Sequence, residues 1–382
     1  MDFDLNDEQR QLKDSLDRLL ADSYGELAKR HGYMKEPKGY SAALWKQYAD
    51  LGLLAVPFAE EHGGLGQGLT ETMIIAEGFG RALALEPYLA TVVLAGGALR
   101  HSGNDALLKE LVPAIVEGRT TLALAHQERQ ARYDVADTAT TARSDGKGGY
   151  TLEGEKAVVL HGDQADKLIV TARAQGGRAD RGGIGLFLVD AKASGVTRRG
   201  YPTQDGMRAA DVTLSAVRVG PEAVVAGPDK GLGVLERVID EAIAALSAEA
   251  VGAMGGLQEL TVDYLKTRKQ FGVPIGSFQV LQHRAVDMLT ALEQARSMAY
   301  YATMMAAEPD AGQRRKAMSA AKVQIGRAAK HIGQEAIQLH GGIGMTMEYK
   351  AGHYFKRLTM IDLAFGDADH HLRELARAGG LG

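Results

Sequence analysis

Tyr264-Leu-Lys-Thr-Arg-Lys-Gln-Phe-Gly-Val-Pro-Ile-Gly-Ser-Phe-Gln-Val-Leu-Gln-His283 is the stretch on which the reading of this chain turns. No Gly or Pro interrupts the run from Leu257 to Phe271, which predicts helix up to that point. Gly272-Val-Pro274-Ile-Gly276 then breaks the chain, and Ser277, a favoured N-cap residue, predicts the start of a second helix. One tight corner between helices therefore gathers a cation (Arg268), an aromatic ring (Phe271) and the amides of Gln270, Gln279 and Gln282. Such a corner is either an ordinary polar αα-hairpin or a place where Arg268 pairs with a phosphate while the amides satisfy a polar heterocycle.

Further along stands Gln338-Leu-His-Gly-Gly-Ile-Gly344. Together with Arg268-Lys-Gln-Phe-Gly-x-Pro-Ile-x-x-Phe-Gln it resembles the paired signature of acyl-CoA dehydrogenases, and the similarity covers nearly the whole chain. Within that family the chain is similar to the small subunit of a two-subunit enzyme acting on pimeloyl-CoA. The resemblance implies an FAD lying between subunits. Its adenosine diphosphate half would be held by Arg268, Gln270, Phe271, Phe278 and Gln279 from the corner and by Gln338, Gly341 and Gly342 from the turn. The chemistry agrees, since a pyrophosphate suits a planar, permanently charged donor, and glycines let backbone N–H groups approach closely.

Composition narrows the alternatives. At 382 residues the chain has room for two or three domains with substantial cores. Hydrophobic content of 45% and charged content of 24% are those of an ordinary soluble globular protein. A net charge of −4 gives no general attraction to nucleic acid or to anionic membranes. Without cysteine there is no disulfide, thiolate metal site or thiol nucleophile. The acidic opening, Met1-Asp-Phe-Asp-Leu-Asn-Asp-Glu8, does not read as a signal peptide, and no uncharged apolar run is long enough for a membrane span, so the cytoplasm is the expected location.

Residues 1–118 read as helical, with Asn6 or Asp7 capping a helix that carries Leu12, Leu16, Leu19 and Leu20. The glycine-rich turn Glu60-Glu-His-Gly-Gly-Leu-Gly66 lacks the Gly-Lys-Ser/Thr ending of a phosphate loop and reads as a connector. From 119 to 225 the pattern shifts to period two, in seven short runs that predict a small β barrel or sandwich. The Arg-rich hairpin from Arg173 to Arg181 reads as a solvated loop tip. Residues 226–382 return to helix and predict a four-helix bundle. The expected fold is α+β, in the helical, β, helical order that the resemblance also implies.

The resemblance is uneven at the flavin ring. The family's Thr-Glu-x-x-x-Gly-Ser-Asp motif corresponds here to Gln127-Glu128-Arg129-Gln130-Ala131-Arg132-Tyr133-Asp134. Its Trp-Ile-Thr-Asn-Gly motif corresponds to Val158-Val159-Leu160-His161-Gly162, which offers neither ring nor hydroxyl and reads as a bare core strand. The glutamate base of the family's Tyr-Glu-Gly-Thr motif falls on Phe365, in Ala364-Phe365-Gly366-Asp367. A minority of the family carries the base earlier, at the place taken by Ala242. Its neighbour Glu241 is therefore the candidate base, with Asp367 second and solvated first-turn acids the alternative for Asp240 and Glu241. His340, His353, His370 and His371 have no metal-site spacing.

The expected activity is FAD-dependent oxidation of an acyl-CoA, such as a dicarboxylyl-CoA, to the trans-2-enoyl-CoA, of the β-oxidation type. A larger paralogous subunit is the expected partner, with a homo-oligomer as the other arrangement, and electron-transfer flavoprotein is the expected acceptor. The alternatives are a non-catalytic accessory subunit that completes a partner's FAD site, and a flavin oxidase on the same fold.

Overall fold

Asn6 begins the first helix. Its side chain accepts from the Gln9 N–H at 2.8 Å, and the Gln9 side chain accepts from the Asn6 N–H at 3.0 Å, a reciprocal capping box. The computed structural model describes residues 5–379. The helices of the first part are α1 (Asp7–Tyr24), α2 (Leu27–Tyr33), α3 (Ala42–Asp50, capped by Ser41) and α4 (Leu69–Ala82). A π-helical stretch, Leu89–Ala95, then runs into α5 (Gly96–Ser102), and α6 (Asp105–Val116) follows.

The strands are β1 (Leu122–Ala125), β2 (Thr141–Ser144), β3 (Tyr150–Leu160), β4 (Lys167–Arg173), β5 (Ile184–Asp190), β6 (Val196–Pro202), β7 (Arg208–Val219) and β8 (Val224–Ala226). They form one eight-stranded sheet in the order β6-β7-β3-β2-β4-β5-β8, with β1 pairing parallel to β4. Helix then resumes with α7 (Gly231–Thr267), of 37 residues. A two-residue hairpin, β9 (Lys269–Gln270) and β10 (Val273–Pro274), leads to α8 (Gln279–Met305), α9 (Ala311–His340), α10 (Lys350–Leu363) and α11 (Ala368–Arg377). The helical, β, helical order is the one the sequence predicts.

Some local readings need correction. The period-two pattern misses β6 because it is a largely polar edge strand: Arg199 faces outward, while Arg198 is half-buried and donates to the carbonyls of Gly162 and Ala165 at 3.0 and 2.8 Å. Asp137–Thr140, expected as strand, is drawn off the ladder because the Glu128 carboxylate accepts from the N–H groups of Ala139 and Thr140 at 2.8 and 3.1 Å. The tip of the Arg173–Arg181 hairpin is solvated as expected, with residues 175–182 exposed, but its base is not. Arg173 is only 7% exposed, and its guanidinium donates to the carbonyls of Ala136, Thr138, Gln175, Arg178, Asp180 and Gly182 at 2.7–3.2 Å.

Contacts divide the chain into two compact units. One holds residues 36–68 and 85–242, with the sheet as its centre. Leu152, Leu168, Val170, Phe187, Val212 and Leu214 from four strands form its core. Beneath them lies a buried ion pair, Lys156 Nζ to Glu128 Oε1 at 2.6 Å, with Thr171 Oγ1 accepting from the same ammonium at 2.9 Å. The other unit holds residues up to 35, 69–84 and those from 243 on. There α4 and α7 cross backbone to backbone. A Cβ on Gly80 would fall on the Glu249 carbonyl, and one on Gly252 on the Glu77 carbonyl, so only glycine permits this approach. Lys322 closes the end of α10 by donating to the carbonyls of Ile361 and Asp362 at 2.7 and 2.9 Å, which satisfies acceptors that the last turn leaves open. Among the described residues no helix is long and apolar enough to cross a membrane.

Candidate functional site

The corner after α7 is tighter than the sequence suggests. Helix α7 stops at Thr267, and Lys269–Gln270 pairs with Val273–Pro274 through a two-residue turn. Both turn residues have positive φ, Phe271 at 55° and Gly272 at 82°, the pattern of a type I′ hairpin turn. Glycine suits the second place. Phenylalanine at the first is strained by its Cβ, at a cost of order 1–3 kcal/mol. The strain leaves the Phe271 ring 90% exposed, edge-on to Phe278 with centroids 6.1 Å apart. Ser277 does not cap α8. Its hydroxyl donates to the Pro274 carbonyl at 2.7 Å, and the N-cap place belongs to Phe278.

The Gln338 turn lies beside this corner. Tyr264, one helical turn before Arg268, stacks against His340 with ring centroids 4.7 Å apart, and His340 in turn meets Tyr349 at 5.0 Å. His340 is buried and its Nδ1 donates to the Ala336 carbonyl at 2.8 Å, which locks the ring to the end of α9. Burial pushes its pKa down. The aromatic stack holds the ends of α7 and α9 side by side. Arg268, Gln270, Phe271, Phe278, Gln279 and Gln338 are all exposed there. Among the described residues the Arg268 guanidinium and the Gln279 and Gln338 amides have no hydrogen-bond partner, and a Cβ on Gly341 or Gly342 would meet nothing within 4 Å. The structure thus gathers the sequence-selected polar groups on one open, cationic face.

In the sheet unit the arrangement is different. A register shift between β3 and β7 throws Val158 outward, with φ 52° and 37% exposure, while Val159 stays in the core at 2%. The bare core strand expected at Val158–Leu160 is therefore a β-bulge, with only its middle residue packed inward. Around Val158 lies an ion-pair cluster. Asp211 accepts from Arg129 at 2.8 Å, Arg199 at 2.6 Å and the Tyr201 hydroxyl at 3.0 Å. Glu128 faces inward to Lys156. Burial alone would push its pKa up, but the Lys156 charge and hydrogen bond bring it down to about 2.

Both carboxylates considered as bases are committed to other groups. Glu241, 3% exposed, accepts from Arg100 Nη2 at 2.9 Å, His101 Nε2 at 2.7 Å and Arg237 Nε at 3.3 Å. Burial would raise its pKa. The His101 hydrogen bond and the charges of Arg100 and His101 outweigh that and bring it down to about 2. Asp367 caps α11, its Oδ1 accepting from the His370 N–H at 2.7 Å. Phe365 and Gly366 both have positive φ, and the Phe365 carbonyl accepts from His371 Nε2 at 3.0 Å. Burial drives the His371 pKa down to about 3, so this imidazole is neutral. Sequence reading missed the three side chains that hold Glu241. Only Arg237, at i−4 on the same helix, carries a local signal.

Three family descriptions cover the chain almost end to end. They are the N-terminal domain of acyl-CoA dehydrogenase over residues 6–119, its middle domain over 123–217 and its C-terminal domain over 229–380. The chain belongs to the acyl-CoA dehydrogenase family. These are flavin-dependent oxidoreductases that act on the CH–CH bond of acyl-CoA thioesters, with FAD as cofactor. Acyl-CoA dehydrogenase-type oxidation of an acyl-CoA is the chemistry to which the chain belongs. It is 30% identical over 374 residues to a 2-methylacyl-CoA dehydrogenase, mitochondrial, of Solanum tuberosum, covering 96% of this chain and 89% of that one. Among solved structures it is similar to the Tcur3481-Tcur3483 steroid ACAD, at 30% identity and TM-score 0.87, covering 98% of each chain. It is also similar to the ChsE4-ChsE5 complex from Mycobacterium tuberculosis, at 25% identity and TM-score 0.88, covering 100% of each.

The residues present fit one half of the family's cofactor and not the other. At the α7–α8 corner an unpaired guanidinium, unpaired amides and a ring held out by a strained turn offer donors and a stacking face to an adenosine diphosphate. At the Val158 bulge the strand itself offers neither a flat ring nor a hydroxyl, the nearby Tyr201 hydroxyl is spent on Asp211, and the flanking arginines are neutralised by Asp211. That face does not suit a flavin ring.

Proposed function

We propose that this chain is the accessory subunit of a hetero-oligomeric acyl-CoA dehydrogenase. It completes the adenosine half of an FAD whose flavin ring a larger paralogous subunit holds, and that partner supplies the base. One observation carries the reading: neither carboxylate that could stand in for the missing glutamate is available, Glu241 being clamped by two guanidinium groups and an imidazole and Asp367 capping α11. A base must reach the α-carbon of the thioester with a pKa suited to the task, and a carboxylate held down to about 2 is poorly matched. Arg268, Gln270, Phe271, Phe278, Gln279, Gln338, Gly341 and Gly342 are the residues we assign to the cofactor's adenosine half. When bound, FAD supplies the hydride acceptor. This chain's residues bind its phosphates and orient its adenosine.

The substrate we favour is a dicarboxylyl-CoA such as pimeloyl-CoA, or another bulky or polar acyl-CoA. The motif resemblance to the pimeloyl-CoA dehydrogenase small subunit supports the first, and the steroid ACAD among the similar structures supports the bulkier class. We assign electron-transfer flavoprotein as acceptor and the cytoplasm as location, with functional modules at 1–118, 119–225 and 226–382.

Co-expression with the companion paralogue tests the proposal. A mixed oligomer with fewer flavins than chains, whose dye-linked turnover is abolished by a carboxylate variant of the partner, is expected. A stable homotetramer with one FAD per chain and its own turnover overturns it.

A further inference from the structure

The turn at Glu60–His62, read from sequence as a connector, holds an arrangement that the acyl-CoA chemistry does not use. It forms a 3-10 helix and is fixed from several sides by the backbone. Gly64 N donates to the Ala59 carbonyl at 3.0 Å, Leu65 N to Ala55 at 3.0 Å and Gly66 N to Phe58 at 2.7 Å. The turn faces the first turn of α6, where Asn104 caps the helix and Asp105 is the first residue inside it.

Three ligand-type side chains converge there. His62 is 7% exposed, yet its imidazole makes no hydrogen bond of ordinary length among the described residues. Nδ1 is buried without a partner, and Nε2 points outward at two carboxylate oxygens, Glu61 Oε1 and Asp105 Oδ1, each 3.5 Å away. That separation is long for a charge-assisted hydrogen bond, which falls at about 2.7–2.9 Å. It matches the spacing between two ligands of one small cation. Ligand bonds of about 2.0–2.2 Å in tetrahedral geometry set the ligands about 3.3–3.6 Å apart. All three ligand atoms lie within 4.8 Å of one another. The carboxylates are exposed, so small side-chain rotations close the remaining edge. Lys109 holds the other oxygen of Asp105 at 2.6 Å, which leaves Oδ1 turned toward His62.

We propose that Glu61, His62 and Asp105 form a binding site for a divalent transition cation, zinc in preference, with water as the fourth ligand. One imidazole and two carboxylates form a borderline-to-hard donor set that suits Zn2+ over a thiolate-seeking ion, and three protein ligands leave one position to solvent. The ion would clip the 59–66 turn to the start of α6. Because neither Phe365 nor the α7–α8 corner takes part, the site stands independently of the accessory-subunit reading.

Isothermal titration of the full chain with Zn2+, and visible spectroscopy with Co2+, test the proposal. One Zn2+ per chain is expected, with the intense visible bands of four-coordinate Co2+ displaced by Zn2+. His62→Ala should weaken binding about 100-fold or more, since even outer-shell changes cost 10–100-fold. Asp105→Asn, at an exposed position where folding is not at risk, should weaken it and remove the four-coordinate bands. The chain carries 11 histidines, so weak binding elsewhere is distinguishable only through these variants. Zn2+ binding that both variants leave unchanged, or none in the parent chain, overturns the site and leaves the 3.5 Å contacts as loose polar contacts only.

Discussion

Replacing Glu241 by glutamine removes one negative charge from a place where two guanidinium groups and an imidazole lie within 3.3 Å of the carboxylate. Glutamine keeps the shape and one acceptor oxygen. It leaves Arg100 and Arg237, 19% and 21% exposed, beside a neutral group. Breaking a buried pair costs about 3–5 kcal/mol. The residual solvent contact of the arginines and the retained acceptor lower the expected loss to about 2–3 kcal/mol. The acid limb gives a second measure. The folded-state pKa of Glu241 is depressed, so its stabilisation is fully present above about 4.5 and lost as the pH falls toward 2. A fall from 4.5 to about 2 corresponds to about 3 kcal/mol, consistent with the first figure. Urea unfolding at pH 7 and across pH 5 to 2, for parent and variant, reads both. The parent should lose stability across the acid window more steeply than Glu241→Gln, while turnover of the complex with the partner stays within a few-fold. A variant of parental stability whose turnover drops about 100-fold would refute the anchoring role and reinstate Glu241 as the base.

Arg268→Ala removes a charge-assisted phosphate contact of about 1.5–3 kcal/mol, so flavin retention by the mixed oligomer should fall about tenfold to a hundredfold with the melting temperature unchanged. Lys156→Met strands the buried Glu128 carboxylate and should destabilise the chain by about 3–5 kcal/mol by urea unfolding, whereas pairing it with Glu128→Gln should recover part of that loss. Gly252→Ala drives a methyl into the Glu77 carbonyl at the α4–α7 crossing and should cost about 1–3 kcal/mol or more in the same measurement, while Gly233→Ala, in open space on the same helix, should not.

The helical corner was legible because its signals are local. Periodicity, the Gly272–Gly276 break and the unusual gathering of Arg, Phe and Gln lie within one short stretch. Even so, Ser277 looked like the cap because side-chain type alone cannot reveal that its hydroxyl turns back to Pro274. The committed state of Glu241 was illegible for the opposite reason, since its strongest partners lie 140 and 141 positions away. The same holds for Lys156 and Glu128, 28 positions apart, whose pairing pulls the 128–140 segment off the strand pattern. Val158 reads as a strand residue by every local rule. Only the register of β3 against β7 turns it outward.

Arg173 organises its hairpin entirely through main-chain carbonyls, every one of which any amino acid could supply. Apart from the glycines at the turns and Asp180, whose carboxylate accepts from the Gly177 N–H at 2.8 Å, Arg173 thus holds the residues from 174 to 182 by their path and not by their identity. The segment should tolerate drift in sequence while resisting any change in length, since one inserted residue would carry the carbonyls past the guanidinium. In relatives of this chain the arginine and the spacing should be inherited together or lost together.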